Sequence, residues 1–267
     1  MRDLWRVKPG SKVSLAAIDT ASTPGLKGGR EAAAAARPAS LQTLAPLQDK
    51  LWAESTRCLL VILQGMDAAG KDGTVKHVFE GLNPEAIRTT EFKVPTSEEL
   101  AHDFLWRISR ALPRRGQIGV FNRSQYEDVV AVRVRKNVPE SVWRPRFRSI
   151  AEFERALVHE GTTIVKCFLH ISKDEQKKRF EERLRLPDKR WKFSPDDLID
   201  RNFWDAYRRA YEEAISATST DHAPWYIIPA DHKWYLHWAV DVVLVETLQE
   251  MDPHYPDPPN LDGIQVL

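Results

Sequence analysis

Short apolar runs alternate along most of this chain with segments whose apolar positions recur every three or four residues. The run Cys58-Leu59-Leu60-Val61-Ile62-Leu63 lacks polar alternation, the mark of a strand buried on both faces. Further strands are predicted over residues 87–94, 117–121, 162–169 and 225–228. Between them the spacing predicts helices. One starts at Ser97-Glu98-Glu99 and runs to about Leu112, with Phe104, Leu105, Ile108 and Leu112 on its apolar face and Pro113 as its stop. Others cover 150–159, 195–217 and 234–250. Ser172-Lys173-Asp174-Glu175 is a capping-box pattern opening another helix, with Phe180 and Leu184 facing inward. Strands alternating with helices imply an α/β fold with a parallel sheet covered on both faces.

The two ends read differently. Residues 1–50 show little periodicity and are expected to form an extended N-terminal arm with one or two short helices. Lys8, Lys12, Lys27 and Arg30 on that arm either reach an anionic ligand or are solvated. Residues 51–252 form the catalytic domain, and 253–267 a Pro-rich, extended tail.

The stretch that organises the domain follows the first strand: Gly65-Met66-Asp67-Ala68-Ala69-Gly70-Lys71-Asp72-Gly73-Thr74, then a helix-capable segment. Strand, glycine loop, lysine and helix make a phosphate cradle with the G-x-x-x-x-G-K (Walker A) spacing of a P-loop. Backbone N–H groups hold phosphate oxygens, and Lys71 adds a point charge. Asp72 stands where Ser or Thr is usual, and Asp67 lies inside the loop. Two carboxylates beside a polyanion repel it unless a divalent cation lies between, which points to Mg²⁺ held with the help of Asp67. Asp72 serves the same end or stabilises the helix start.

At a parallel sheet's ligand-bearing edge, Asn122 at the end of the third strand should face this loop. A P-loop enzyme usually carries Asp there for its metal; here Glu127 supplies the missing charge or merely starts a helix. Arg123 offers a bidentate contact to phosphate. Arg179, Arg183, Lys189, Arg190 and Lys192 read as a movable lid, about 179–200, or as a solvated helix face. Trp191 within it stacks on a base or packs the lid on the core.

Composition narrows the partners. The 267 residues carry 39 Lys plus Arg against 38 Asp plus Glu, so global charge gives no case for nucleic acid. A basic segment, residues 133–148, interleaves Trp143 and Phe147 and reads as a solvated or subunit-contacting surface ahead of a nucleic-acid one. Cys58 and Cys167 sit in strand-like runs and are expected buried and reduced. No stretch reaches the roughly 18 apolar residues of a membrane span, and Met1-Arg2-Asp3 does not open a signal peptide. A soluble cytoplasmic enzyme with no membrane partner is expected. His77, His102, His159 and His170 lack metal-ligand spacing and receive no role.

These motifs resemble the second polyphosphate kinase family. The likeness lies in Gly65 to His77, in Phe121-Asn122-Arg123-Ser124 with Tyr126-Glu127-Asp128, in the five residues from Lys189 to Phe193, in Ala223-Pro224-Trp225-Tyr226, and in Asp231-His232-Lys233-Trp234-Tyr235; it spans about residues 50–250. The resemblance implies a P-loop-kinase-like three-layer sandwich with a helical lid, Mg²⁺ dependence, and phosphoryl transfer between inorganic polyphosphate and adenine or guanine nucleotides. It implies essential roles for Asp67, Lys71 and Arg123, with Arg179 and Arg183 in the lid's arginine positions. Asn122 with Glu127 resembles the subgroup acting on both AMP and ADP, and the family implies a homo-oligomer, a tetramer. The competing readings are an ATP-dependent kinase of the same fold and a non-catalytic protein that binds polyphosphate or nucleotide.

Overall fold

The computed structural model describes residues 1–260. Five parallel strands form its centre in the order β2-β3-β1-β4-β5: β1 Cys58–Gln64, β2 Ile87–Glu91, β3 Ile118–Asn122, β4 Thr162–His170 and β5 Trp225–Pro229. Every residue of β1 is buried, as its unbroken apolar run requires. It pairs with β3 from Leu59–Ile118 to Leu63–Asn122 and with β4 from Cys58–Thr162 to Gln64–Phe168. Asn122 therefore stands level with the residue that precedes Gln64 at the sheet's carboxyl edge.

Right-handed crossovers decide which helices share a face. The step from β1 to β2 runs one way along the sheet, and the steps to β3, β4 and β5 run the other. Helices α1 (Gly29–Glu54), α2 (Lys71–Val78) and α10 (Lys233–Met251) accordingly pack together on one face. On the other lie α3 (Ser97–Leu100), α4 (Trp106–Ala111), α5 (Ala131–Val134), α6 (Glu140–His159) and α9 (Trp204–Thr218), of which α5, α6 and α9 are in mutual contact. Helix α7 (Lys173–Arg185), a 3₁₀ segment Pro187–Lys192 and α8 (Pro195–Asn202) lead from β4 to α9. At the β5 edge the segment around Arg6 pairs antiparallel with Tyr226: the Val7 N–H donates to Trp225 O at 2.8 Å and the Ile227 N–H to Trp5 O at 2.9 Å.

Four expectations need correction. The arm is not mainly extended: α1 runs through the expected boundary at residue 50, despite Pro38 and Pro46 inside it, because Leu44, Gln48 and Leu51 bury one stripe. The helix expected over 97–112 breaks into α3 and α4, where Asp103 Oδ1 accepts the Leu105 N–H. The helix expected to begin at 150 starts at Glu140, and Pro145 falls in its second turn. The stretch 195–217 is two helices meeting at Phe203. The tail over 252–260 has no regular structure, and its expected continuation over 261–267 lies outside the described residues.

The basic segment 133–148 is tied up in ion pairs. Arg133 and Arg144 both hold Glu213, Arg135 holds Asp200 and Arg148 holds Glu152, while Trp143 and Phe147 are core residues. Cys58 and Cys167 are buried thiols without a disulfide. Among the described residues no helix is long and apolar enough to cross a membrane.

Candidate active site

Strands β1 and β3 are neighbours whose connections leave in opposite directions, and that divergence opens a crevice at their carboxyl ends. The residues after β1, Gly65 to Gly70, form one lip, and Asn122 to Glu127, after β3, the other. Both lips contain left-handed backbone. Gly65 (φ 156°) could not carry a Cβ, which would lie 2.7 Å from Leu169 O, and Gly70 has φ 113°. Ala68 (φ 61°) and Arg123 (φ 64°) adopt the same region against the usual preference of a side chain. Non-glycine residues are held there only where the surroundings over-determine them, and such positions gather at ligand clamps.

What holds the loop is visible. Lys71 is buried and its ammonium donates to Gly65 O at 2.8 Å and Met66 O at 3.2 Å. Arg179, 5% exposed, closes the loop from behind: Nη1 donates to Ala68 O and Ala69 O, each at 2.9 Å, and Nη2 to Ala230 O at 2.6 Å and Asp231 O at 3.0 Å. Its Nε is held by Glu175 at 2.9 Å, and Gln176 Nε2 donates to Asp67 O at 2.9 Å. With these carbonyls drawn backwards, the loop's cleft-facing side is left to its N–H groups and side chains. The Thr74 hydroxyl turns inward to Gly70 O, and the Ala69 N–H is taken by Met66 O.

The two lips meet through charge. Arg123 Nη2 lies 3.0 Å from Asp67 Oδ1, and Asn122 Nδ2 donates to Asp72 Oδ1 at 2.8 Å. Lys192 reaches the other Asp72 oxygen at 3.3 Å, so one expected lid cation already touches the loop. Lys189 instead pairs with Glu182, and Arg190 donates to Leu184 O. Arg183 pairs with Asp197 on α8 at 3.3 Å. Burial pushes the Asp197 carboxyl up and the Asp67 charge adds to that. Arg179 and Arg183 thus separate: the first is built into the back of the cradle, the second belongs to the covering segment. Leu184 and Trp191 are exposed, not inward-facing or packed on the core.

Burial shapes the titrations. It lowers the Lys71 ammonium, and the Arg123 charge lowers it further against Asp67, Glu127 and Asp72. It raises the Glu127 carboxyl, partly countered by Arg123 and Lys71 and reinforced by Asp67. Asp72, although burial pushes it up, ends below its ordinary value through the Asn122 amide and Lys192. Arg123 is held protonated by Glu127 and Asp67 despite burial. Asp128, adjacent to Glu127, is committed elsewhere, 3.1 Å from Arg107.

Beside the crevice, toward the β2 edge, lies a cavity of about 230 Å³ lined by Asp67, Phe92, Arg123, Glu127, Trp204 and Tyr207 among others. Its apolar wall was missed from the sequence, although Trp204, Tyr207 and Tyr211 stand at helical spacing. Gln64 was missed too: it donates to Ser124 Oγ at 3.1 Å and accepts from Tyr211 OH at 3.2 Å, bracing the two lips together. A polar residue ending an otherwise apolar run was the signal.

A glycine loop between a central parallel strand and a helix, faced by an arginine and carboxylates across the switch-point crevice, defines a kinase of the P-loop class. The family model described as Polyphosphate kinase 2 (PPK2) matches residues 29–256. An AMP/ADP-polyphosphate phosphotransferase from Meiothermus ruber is 52% identical over 254 residues, 95% of each chain. An ADP-polyphosphate phosphotransferase from Rhodopseudomonas palustris is 47% identical over 81% of this chain and 79% of its own. The crystal structure of polyphosphate kinase 2 from Arthrobacter aurescens TC1 superposes with a TM-score of 0.93 at 44% identity, covering 99% of this chain and 93% of that one. The chain belongs to the polyphosphate kinase 2 family.

Proposed function

We propose that this protein transfers the terminal phosphoryl group of inorganic polyphosphate to AMP and ADP, giving ADP and ATP, with Mg²⁺. The observation that carries the reading is the Asp67–Arg123 pair at 3.0 Å, set across the crevice between the loop and the aromatic-walled cavity. A donor phosphate on the loop and an acceptor nucleotide in that cavity would meet at this pair. The relatives named above support the same substrates.

Phosphoryl transfer asks the protein for alignment and charge neutralisation more than for covalent chemistry. Lys71 is poised to exchange the Gly65 and Met66 carbonyls for phosphate oxygens, and Arg123 to bridge donor and acceptor. Arg183, Lys189, Arg190 and Lys192 close over the group in transit. Arg179 acts from behind, by holding the loop's carbonyls away from the ligand. Among the described residues no cluster of three or more His, Cys, Asp or Glu could hold a metal unaided. Asp67 and Glu127, lining one cavity, fit Mg²⁺, which takes few carboxylates and completes its shell with phosphate oxygens and water. Bound there, Mg²⁺ would neutralise phosphate charge between the two carboxylates.

The test follows AMP, ADP and ATP together, with polyphosphate and Mg²⁺ as the only additions. Formation of ADP and then ATP is expected; no product, with transfer from ATP instead, would select an ATP-dependent kinase. Asp67→Ala retaining full activity without added metal would remove the metal assignment. A homotetramer in the cytoplasm belongs to the same reading, and light scattering on the purified protein checks the assembly.

A further inference from the structure

Under the sheet, on the face opposite α2, two charges stand where the pattern calls for apolar side chains. The buried stripe of α6 runs Trp143, Phe147, Ile150 and then Glu154. In β4, Lys166 interrupts an apolar run between Val165 and Cys167. Glu154 is 1% exposed and Lys166 not at all, and the two meet at 2.6 Å. Lys166 Nζ donates further to Tyr126 OH at 3.0 Å and Thr218 O at 2.8 Å, which occupies its three protons. The other Glu154 oxygen, Oε1, accepts from Tyr126 OH at 2.8 Å and from Gln125 Nε2 at 3.0 Å. Gln125 Oε1 has no partner among the described residues, so Glu154 alone orients that amide.

A buried ion pair is a poor way to stabilise a core, because apolar side chains of similar volume often do as well or better. What this one supplies is direction. Gln125 and Tyr126 open the 3₁₀ turn Gln125–Asp128, two and three residues after Arg123 and immediately before Glu127. Their side chains point down to Glu154, while Arg123 and Glu127 line the cavity beside the crevice. On its other side Arg123 is tied to β1: its N–H donates to Leu63 O at 3.0 Å, and Gln64 holds the Ser124 hydroxyl. The left-handed backbone of Arg123 therefore lies between two fixed points, one on β1 and one on Glu154.

We propose that Glu154, oriented by Lys166, is a positioning residue for phosphoryl transfer: by fixing Gln125 and Tyr126 it aims Arg123 and Glu127 into the crevice. The kinetic part of this rests on the polyphosphate reading given above, and the geometric part does not. Freed from Glu154, the turn lets Arg123 leave the left-handed region, and its guanidinium then moves off Asp67.

The test uses the double variant Gln125→Met, Tyr126→Phe. It removes both bonds to Glu154 Oε1 and keeps the Lys166–Glu154 contact, so no lone charge is buried. A thermal melt sets an assay temperature at which variant and wild type are both folded. There kcat is expected to fall about 10–100-fold, as for a misplacement of about 1 Å. KM for polyphosphate, set by the undisturbed loop, is expected to stay within about twofold of wild type. A purely structural network would lower the melting temperature and leave kcat per folded molecule unchanged, and that result would overturn the proposal. The pair Lys166→Met, Glu154→Leu, which removes both charges together, is expected to lose kcat in the same way and serves if the first variant does not fold. Crystal structures of the variants read the geometry directly. Arg123 still 3.0 Å from Asp67 would overturn the proposal whatever the rates. If wild type turns over no polyphosphate, the functional reading fails by itself, and those structures decide whether Glu154 sets the lip.

Discussion

Replacing Arg179 with lysine separates two roles for one arginine. If the guanidinium belongs to a mobile lid, its loss should leave stability almost unchanged and lower turnover. The structure has it 5% exposed, with four backbone carbonyls and Glu175 on its five donors. A lysine keeps the charge but presents three donors from one nitrogen, so at least two of those five contacts are lost. Hydrogen bonds from a charged donor contribute about 1.5–3 kcal/mol each, so Arg179→Lys should destabilise by about 3–6 kcal/mol. In a chain of this size that lowers the melting temperature by roughly 6 °C or more. Turnover should fall as well, by about 100-fold if the loop moves by about 1 Å. Differential scanning calorimetry with initial rates on the same preparation reads both. A melting temperature within about 2 °C of wild type, with turnover strongly reduced, would refute the clamp and return Arg179 to the substrate.

Arg183→Lys is the control: its contacts are part-exposed, so it should cost no more than about 1 kcal/mol in a urea titration while still slowing transfer. Lys166→Met should destabilise by about 3–5 kcal/mol by equilibrium unfolding, because Glu154, 2.6 Å from Lys166, would keep a buried charge without its counter-ion; adding Glu154→Leu should recover part of the loss. Glu54 is drawn down from 4.5 to about 2, first by Arg57, against burial, and then by Thr56 and the His254 N–H. Since its folded value lies below the unfolded one, its stabilisation is present above about 4.5 and lost as pH falls toward 2. The stability gap between wild type and Glu54→Gln, about 1 kcal/mol at pH 6 after allowing for solvent screening, should close in thermal melts over that window.

Much of the sheet was legible because β1, β3, β4 and β5 are buried on both faces, and continuous burial leaves a largely apolar run that needs no tertiary information to read. The loop was legible for a similar reason: left-handed backbone at Gly65 and Gly70 excludes most side chains. That Asn122 faces this loop followed from parallel topology, whereas its bond to Asp72 and the pairing of Arg123 with Asp67 emerge only in the structure. Helix α1 was hidden because Pro38 and Pro46 oppose a helix locally, and only packing against α10, absent from any window of sequence, outweighs them. The division of labour between Arg179 and Arg183 was hidden for a related reason. One turn apart on α7, they share a pattern and differ only in what the rest of the chain places against them.

The strip of chain around Arg6 that pairs with β5 has a practical consequence. A parallel sheet ending in an open strand offers a row of unmatched N–H and C=O groups to any other molecule. Val7 and Trp5 occupy those positions on Trp225 and Ile227 respectively, with Trp5 itself 4% exposed against Tyr235 and Trp238. Trimming the first seven residues, as is often done to tidy a recombinant product, would bare that border and the indole's socket together. The shortened protein should retain its catalytic lips yet clump on storage, self-associating border to border.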